Sequence, residues 1–274
     1  MRVIALKLGE ILGQQVVVEN RLGAGNTIAT AIVAKAPPDG YTLLMCPLSD
    51  AITPALYKNL PYVLLRDFAG VSLLGTTANL LTVHPSLPAR SIKEFIALAK
   101  ANPGKIDYST TGIGTSPHLS MELLRFRTGI DVLHIPYKGR TMPDLLAGRV
   151  AVNFGNIAVY IEPVKAGKLR ALGVSTPKRS QRLPEVPTIA ESGVPDYDVT
   201  VWYGICAPAA VARDVIDKIN GGVAKAVAMS DLQQRLIQLG VDPESSTSER
   251  FGGLLKSESE KWAKVVKDAG IQPQ

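Results

Sequence analysis

The sequence predicts an α/β protein divided into two lobes, and three observations carry that expectation. Helix-like and strand-like segments alternate along most of the 274 residues, the pattern of a largely parallel sheet covered by helices. Two consecutive extended runs, 68–74 and 79–84, have no helix between them, so the chain can cross there from one lobe to the other. A third extended run, 197–206, precedes a wholly helical tail and supplies the return crossing.

The elements follow from local pattern. Val3, Leu6, Ile11 and Leu12, with Lys7 and Glu10 between them, fit an amphipathic helix stopped by Gly13. Residues 15–19 (QVVVE) are a β-branched run that reads as a strand, and 26–35 read as a small-residue helix. Pro37-Pro38-Asp39-Gly40 turns the chain into an apolar strand at 41–45. Ser91 with Glu94 three residues later is a capping box, and Ser246 with Glu249 is a second. Strands are expected at 106–109, 132–136, 150–154 and 169–175. Helices are expected at 116–128, 211–229, 232–239 and 247–269.

Composition narrows the function. A net charge of +6 comes from Lys and Arg scattered along the chain rather than clustered, and aromatic residues make up only 5%. A nucleic-acid surface is therefore not expected. A mild positive field favours small anions. Apolar runs are short and no stretch approaches the roughly 20 residues of a membrane span. Met1 to Leu12 carries Lys7 and Glu10 where a secretory apolar core would run, so it does not read as a signal peptide. Cys46 and Cys206 are far apart, lack metal or redox spacing, and read as two buried thiols.

One loop stands out chemically. Tyr108-Ser109-Thr110-Thr111-Gly112-Ile113-Gly114-Thr115-Ser116-Pro117-His118 lies between a strand and a helix. Gly112 and Gly114 allow a ligand close to the backbone, and the hydroxyls supply donors. With Ser116 as N-cap and Pro117 at the first helical position, free N–H groups collect at the positive end of a helix. Such a site suits a carboxylate or phosphate, while the same residues also describe an ordinary capped turn. The stretch around Gly23 and Gly25 reads GxGxxI, without the acidic residue that a dinucleotide site needs about twenty positions on. There is no GxSxG or HExxH, and neither a catalytic residue, a metal site nor a cofactor is expected. His84 and His134, each beside a proline at or near a strand end, read as structural.

Taken in order, several segments resemble the substrate-binding proteins of tripartite tricarboxylate transporters, the Bug or TctC family. They are QVVVENR at 15–21, APPDGYTLL at 36–44, NPGKIDY at 102–108, GTSPH at 114–118 and IPYKG at 135–139. AGKLRAL at 166–172, LPEVPT at 183–188 and WAKVV at 262–266 complete the set. The resemblance implies a type II periplasmic-binding-protein fold, two α/β lobes joined by crossing strands, closing over a small carboxylate. The lobes would be 1–76 with 203–274, and 77–202. It also implies a monomeric, non-enzymatic receptor in the periplasm that hands a di- or tricarboxylate or acidic amino acid to membrane permease subunits.

Carried over by position, the ligand site would comprise Thr110, Thr111, Gly112, Gly114, Thr115 and Ser116, bordered by Tyr137 and Lys138. Gly155 and Asn156 would face it after another strand, and Ser49 would come from the loop at 47–50. Gly155 stands where relatives commonly place Asp. The family's first strand and first binding loop would precede Met1, so the first lobe is expected to lack its first strand and to bind weakly. Competing expectations are a small-molecule enzyme using the same strand-end cleft, or a remnant that does not bind.

Overall fold

The chain opens in helix α1 (Arg2–Leu12), where Ile4, Ala5 and Leu8 share a buried face. Gly13 ends it in the left-handed conformation, at φ 67°, that costs glycine least. Helix α2 (Thr27–Ala34), strand β1 (Leu44–Pro47), helices α3 (Leu48–Leu56) and α4 (Leu64–Asp67) and strand β2 (Phe68–Val83) follow. Next come α5 (Ile92–Ala101), β3 (Asp107–Thr110), α6 (Ser116–Thr128), β4 (Leu133–Pro136), α7 (Met142–Leu146), β5 (Val152–Asn156), α8 (Ile157–Lys165) and β6 (Arg170–Val174). The chain then runs through β7 (Thr200–Pro208), α9 (Arg213–Ala228), α10 (Ser230–Gln238), β8 (Asp242–Pro243) and α11 (Ser248–Asp268). The computed structural model describes residues 1–21, 26–137, 139–268 and 270–271. No described helix is long and apolar enough to cross a membrane.

The chain divides into two units, Met1–Thr76 with Trp202–Gln274, and Thr77–Val201. Strands β2 and β7 are the segments that run from one unit into the other. In the first unit β7 lies between β1 and β2, with β1 antiparallel to it in the register Leu44↔Cys206, and β8 pairs with β2 at Gly75 and Thr76. Leu8, Val71, Leu74, Ile205, Ile219 and Val223 form its core, brought together by α1, α9 and the sheet. Trp202 meets Phe251 edge to face, with ring centroids 5.6 Å apart. Gly204 is required beside this pair, since a Cβ there would lie 2.0 Å from the Phe251 ring. Cys46 and Cys206 are both buried free thiols.

The second unit places β2 between β6 and β5, both antiparallel to it, and then adds β3 and β4 parallel to β5. The Ser91 hydroxyl accepts the Glu94 amide at 3.1 Å, while the Glu94 carboxylate accepts the Arg90 amide at 2.7 Å, which fixes the start of α5.

Several sequence expectations shift. Residues 15–19 form no strand: their burial alternates as in a strand, but none of the described residues offers them a ladder partner. The runs 68–74 and 79–84 are one strand, β2. The stretch 47–50, expected as a loop, is instead the end of β1 at Pro47 and the first turn of α3. Ser246 does not cap the last helix. Its hydroxyl accepts the Leu73 amide at 3.1 Å, and Thr247 instead accepts the Arg250 amide at 3.2 Å. The cap of α6 is Thr115, not Ser116, and Pro117 falls at the second helical position.

Candidate functional site at the carboxyl ends of parallel strands

Strands β3, β4 and β5 run parallel, so their carboxyl ends open on one edge of the second unit's sheet. The register Thr110↔Pro136 and Ser109↔Asn153 places the loop after Thr110, Tyr137 and the end of β5 at that edge. In open α/β sheets this edge is where ligands bind, because connecting loops and helix N-termini converge there. The structure thus brings together Thr110, Thr111, Gly112, Gly114, Thr115, Ser116, Tyr137, Gly155 and Asn156. Lys138 lies outside the described residues. Ser49 belongs to the first unit, half-buried in the first turn of α3, where its carbonyl accepts the Thr53 hydroxyl at 2.8 Å.

Within the loop the hydroxyls and amides divide into two sets. Thr110 is fully buried, and its Oγ1 accepts the Gly112 amide at 3.2 Å and lies 2.7 Å from His134 Nε2. The Thr115 hydroxyl donates to the Gly112 carbonyl at 2.7 Å, and the Gly114 amide donates to His118 Nδ1 at 3.4 Å. These bonds hold Gly112 at φ 134° and Gly114 at φ 76°, conformations that suit glycine. Among the described residues, the amides of Thr111, Ile113, Thr115, Ser116 and His118 find no acceptor. Thr111 is exposed, Ser116 is half-buried, and α6 has no side-chain cap. Unpaired amides in a short loop at a helix start are donors suited to an anion.

Other expected contacts are used internally. The Tyr137 hydroxyl donates to Asp144 at 2.7 Å, and Asp144 is also paired with Arg149 at 3.0 Å. Asn156 caps α8 through Oδ1, which accepts the Ala158 amide at 3.0 Å. Gly155 sits under the Tyr160 ring, where a Cβ would come within 2.3 Å of it. The donors this structure leaves available are therefore backbone amides, with the Thr111 and Ser116 hydroxyls beside them. Thr110, Thr115, Tyr137 and Asn156 shape the edge.

Sequence reasoning missed a buried polar network next to the loop. The Tyr108 hydroxyl donates to Glu122 at 2.8 Å, Arg125 holds the same carboxylate at 2.9 and 3.0 Å, and His134 stacks on both Tyr108 and His118. The spacing His118, Glu122, Arg125 on one face of α6 was the available signal. No described group of three or more His, Cys, Asp or Glu could hold a metal ion.

The family model described as tripartite tricarboxylate transporter family receptor, TctC, matches residues 1–271. The protein BugT of Bordetella pertussis is 36% identical over 99% of this chain and 84% of its own length. The solved structure of Rpa4515 of R. palustris with adipate superposes with a TM-score of 0.88 at 34% identity, covering 100% of this chain and 92% of that one. The structure of MatC from Rhodopseudomonas palustris with bound malate gives 0.84 at 29% identity, covering 97% and 92%. The fold is that of the periplasmic binding proteins.

Proposed function

Because the chain belongs to the tripartite tricarboxylate transporter receptor (TctC/Bug) family, we propose that it is a solute receptor whose second unit grips a small carboxylate on the 110–118 loop. The observation that carries this reading is the set of unpaired amides at Thr111, Ile113, Thr115, Ser116 and His118, gathered at the start of α6. A carboxylate oxygen accepts several such hydrogen bonds without needing an arginine, and the partial positive charge of the helix start adds to them. The relatives solved with adipate and malate favour a dicarboxylate as ligand. The receptor binds and releases its ligand unchanged, passing it to membrane permease subunits from the periplasm.

Titration calorimetry with adipate, malate and citrate, paired with mass spectrometry of the recovered ligand, tests this. The reading predicts saturable binding of at least one of them and unaltered ligand after incubation. A new product mass, or binding of a neutral diol as strong as that of the matching diacid, would contradict it.

A further inference from the structure

Three rings from three elements stack next to the loop: Tyr108 of β3, His134 of β4 and His118 of α6. Their centroids are 4.8 Å apart for Tyr108 and His134, and 4.5 Å apart for His134 and His118. Each imidazole also reaches the loop itself. His134 Nε2 lies 2.7 Å from Thr110 Oγ1, and His118 Nδ1 takes the Gly114 amide proton at 3.4 Å. His118 is buried, only 7% exposed, and His134 is half-buried.

The hydrogen-bond pattern assigns the protonation of His118. An amide N–H donates only to a lone pair, so Nδ1 carries none of the ring's protons, and the imidazole is neutral with its proton on Nε2. That Nε2 faces Glu122 Oε1 at 4.0 Å. The charged and titratable groups around the pair are Glu122 and Arg125 from α6 and Tyr108 from β3, with Asp131 beyond Arg125 at 3.5 Å. Glu122 favours a charged ring, but the Tyr108 hydroxyl and Arg125 already hold that carboxylate. Burial and Arg125 disfavour charge on both rings, and His118 disfavours charge on His134. Burial lowers the His118 pKa below the usual imidazole range, and burial with the neighbouring His118 brings His134 down to about 4.

We infer that His118 and His134 are positioning residues for carboxylate binding: as neutral imidazoles they tie Gly114 and Thr110 to the protein, so that the amides of Thr111, Ile113, Thr115, Ser116 and His118 remain for the ligand. This rests on the carboxylate reading of the loop. The chemistry needed at His118 is a hydrogen-bond acceptor at the Nδ1 position. Protonation of His118 sets Nδ1–H against the Gly114 N–H and removes that tie.

Two variants separate acceptor from bulk. His118→Asn places an amide oxygen near the Nδ1 position, and His118→Phe keeps a ring without an acceptor. Losing one neutral hydrogen bond of this kind weakens binding by roughly two- to tenfold. Calorimetry with adipate and malate at pH 8 should find His118→Asn within about twofold of wild type and His118→Phe weaker by that larger margin. In the ligand-free protein, the Gly114 amide resonance should move as acid titrates His118 below the usual histidine range, and should stay still in His118→Asn. A His118→Phe variant that binds as wild type does, or a Gly114 resonance indifferent to the titration of His118, overturns the inference. Should neither dicarboxylate bind the wild-type chain, the functional reading falls, and the Gly114 titration alone still decides whether the imidazoles hold the loop.

Discussion

Ser116→Glu is expected to abolish carboxylate binding while leaving the second unit folded. The substitution puts a carboxylate at the first helical position of α6, beside the amides of Ser116 and His118 that have no acceptor. A ligand carboxylate about 4 Å from that charge meets a repulsion of about 4 kcal/mol at an effective dielectric near 20. Even half of this, after screening, weakens binding more than tenfold, and about a hundredfold or more is expected where the site excludes water. The same negative charge is favourable for the helix, by about 0.3–1 kcal/mol. Binding by calorimetry should therefore be lost while the melting temperature holds or rises slightly. A parallel loss of stability would mean that the side chain broke the loop rather than filled it, and binding as strong as wild type would place the ligand elsewhere.

The second large effect concerns Asp50, buried in the first turn of α3 in the first unit. Asn26 Nδ2 donates to both its oxygens, at 2.8 and 3.0 Å, and the Cys46 thiol also bonds to it. Burial nevertheless dominates, and it raises the Asp50 pKa from 3.8 to about 7. The folded state thus holds this proton more tightly than the unfolded chain does. The favourable contribution is complete below pH 3.8 and disappears as pH rises through about 7. By pH 8 the difference is on the order of 4 kcal/mol, at about 1.4 kcal/mol per pKa unit.

Asp50→Asn removes the ionisable group while keeping an amide partner for Asn26. It should stabilise the first unit by on the order of 2–4 kcal/mol at pH 8 and change little at pH 4, allowing about 1 kcal/mol for the altered hydrogen bonds. The chain's two tryptophans, Trp202 and Trp262, are both buried and both in the first unit, so their fluorescence during urea unfolding reports on it. Equal effects of the substitution at pH 4 and pH 8 would show that Asp50 is not held protonated.

Much of the architecture was legible because it is local. Helix α6 was placed at its observed limits by the glycine at 129 and the loop before it, and the capping box at Ser91 formed as read. The loop 108–118 was picked out by its glycines, its hydroxyls and its place between a strand and a helix start. What escaped is set by partners distant in sequence. A β-branched run such as 15–19 encodes alternation, but pairing needs a neighbouring strand, and none of the described residues supplies one. Ser246 has the composition of a cap, yet its hydroxyl binds the backbone of Leu73, 173 positions away.

The site was legible to the same extent. Thr110, Thr115 and Asn156 were expected at the ligand site by position carried over from the family resemblance, and all three use their side-chain polar groups inside the protein. His134 was read as structural because a lone histidine beside a proline says nothing of the His118 ring 4.5 Å away. Residue type marked the place, while the division of hydrogen-bonding groups between fold and ligand needed three dimensions.

The central claim is that the unpaired amides of the 110–118 loop are where a carboxylate binds. Amide resonances of the full chain, followed by heteronuclear NMR during titration with adipate or malate, test it most directly. The account predicts that Thr111, Ile113, Thr115, Ser116 and His118 show the largest shifts in the second unit and saturate together, with Gly112 and Gly114 moving less because their protons are already taken. Saturable binding by calorimetry with these five resonances unmoved would contradict it.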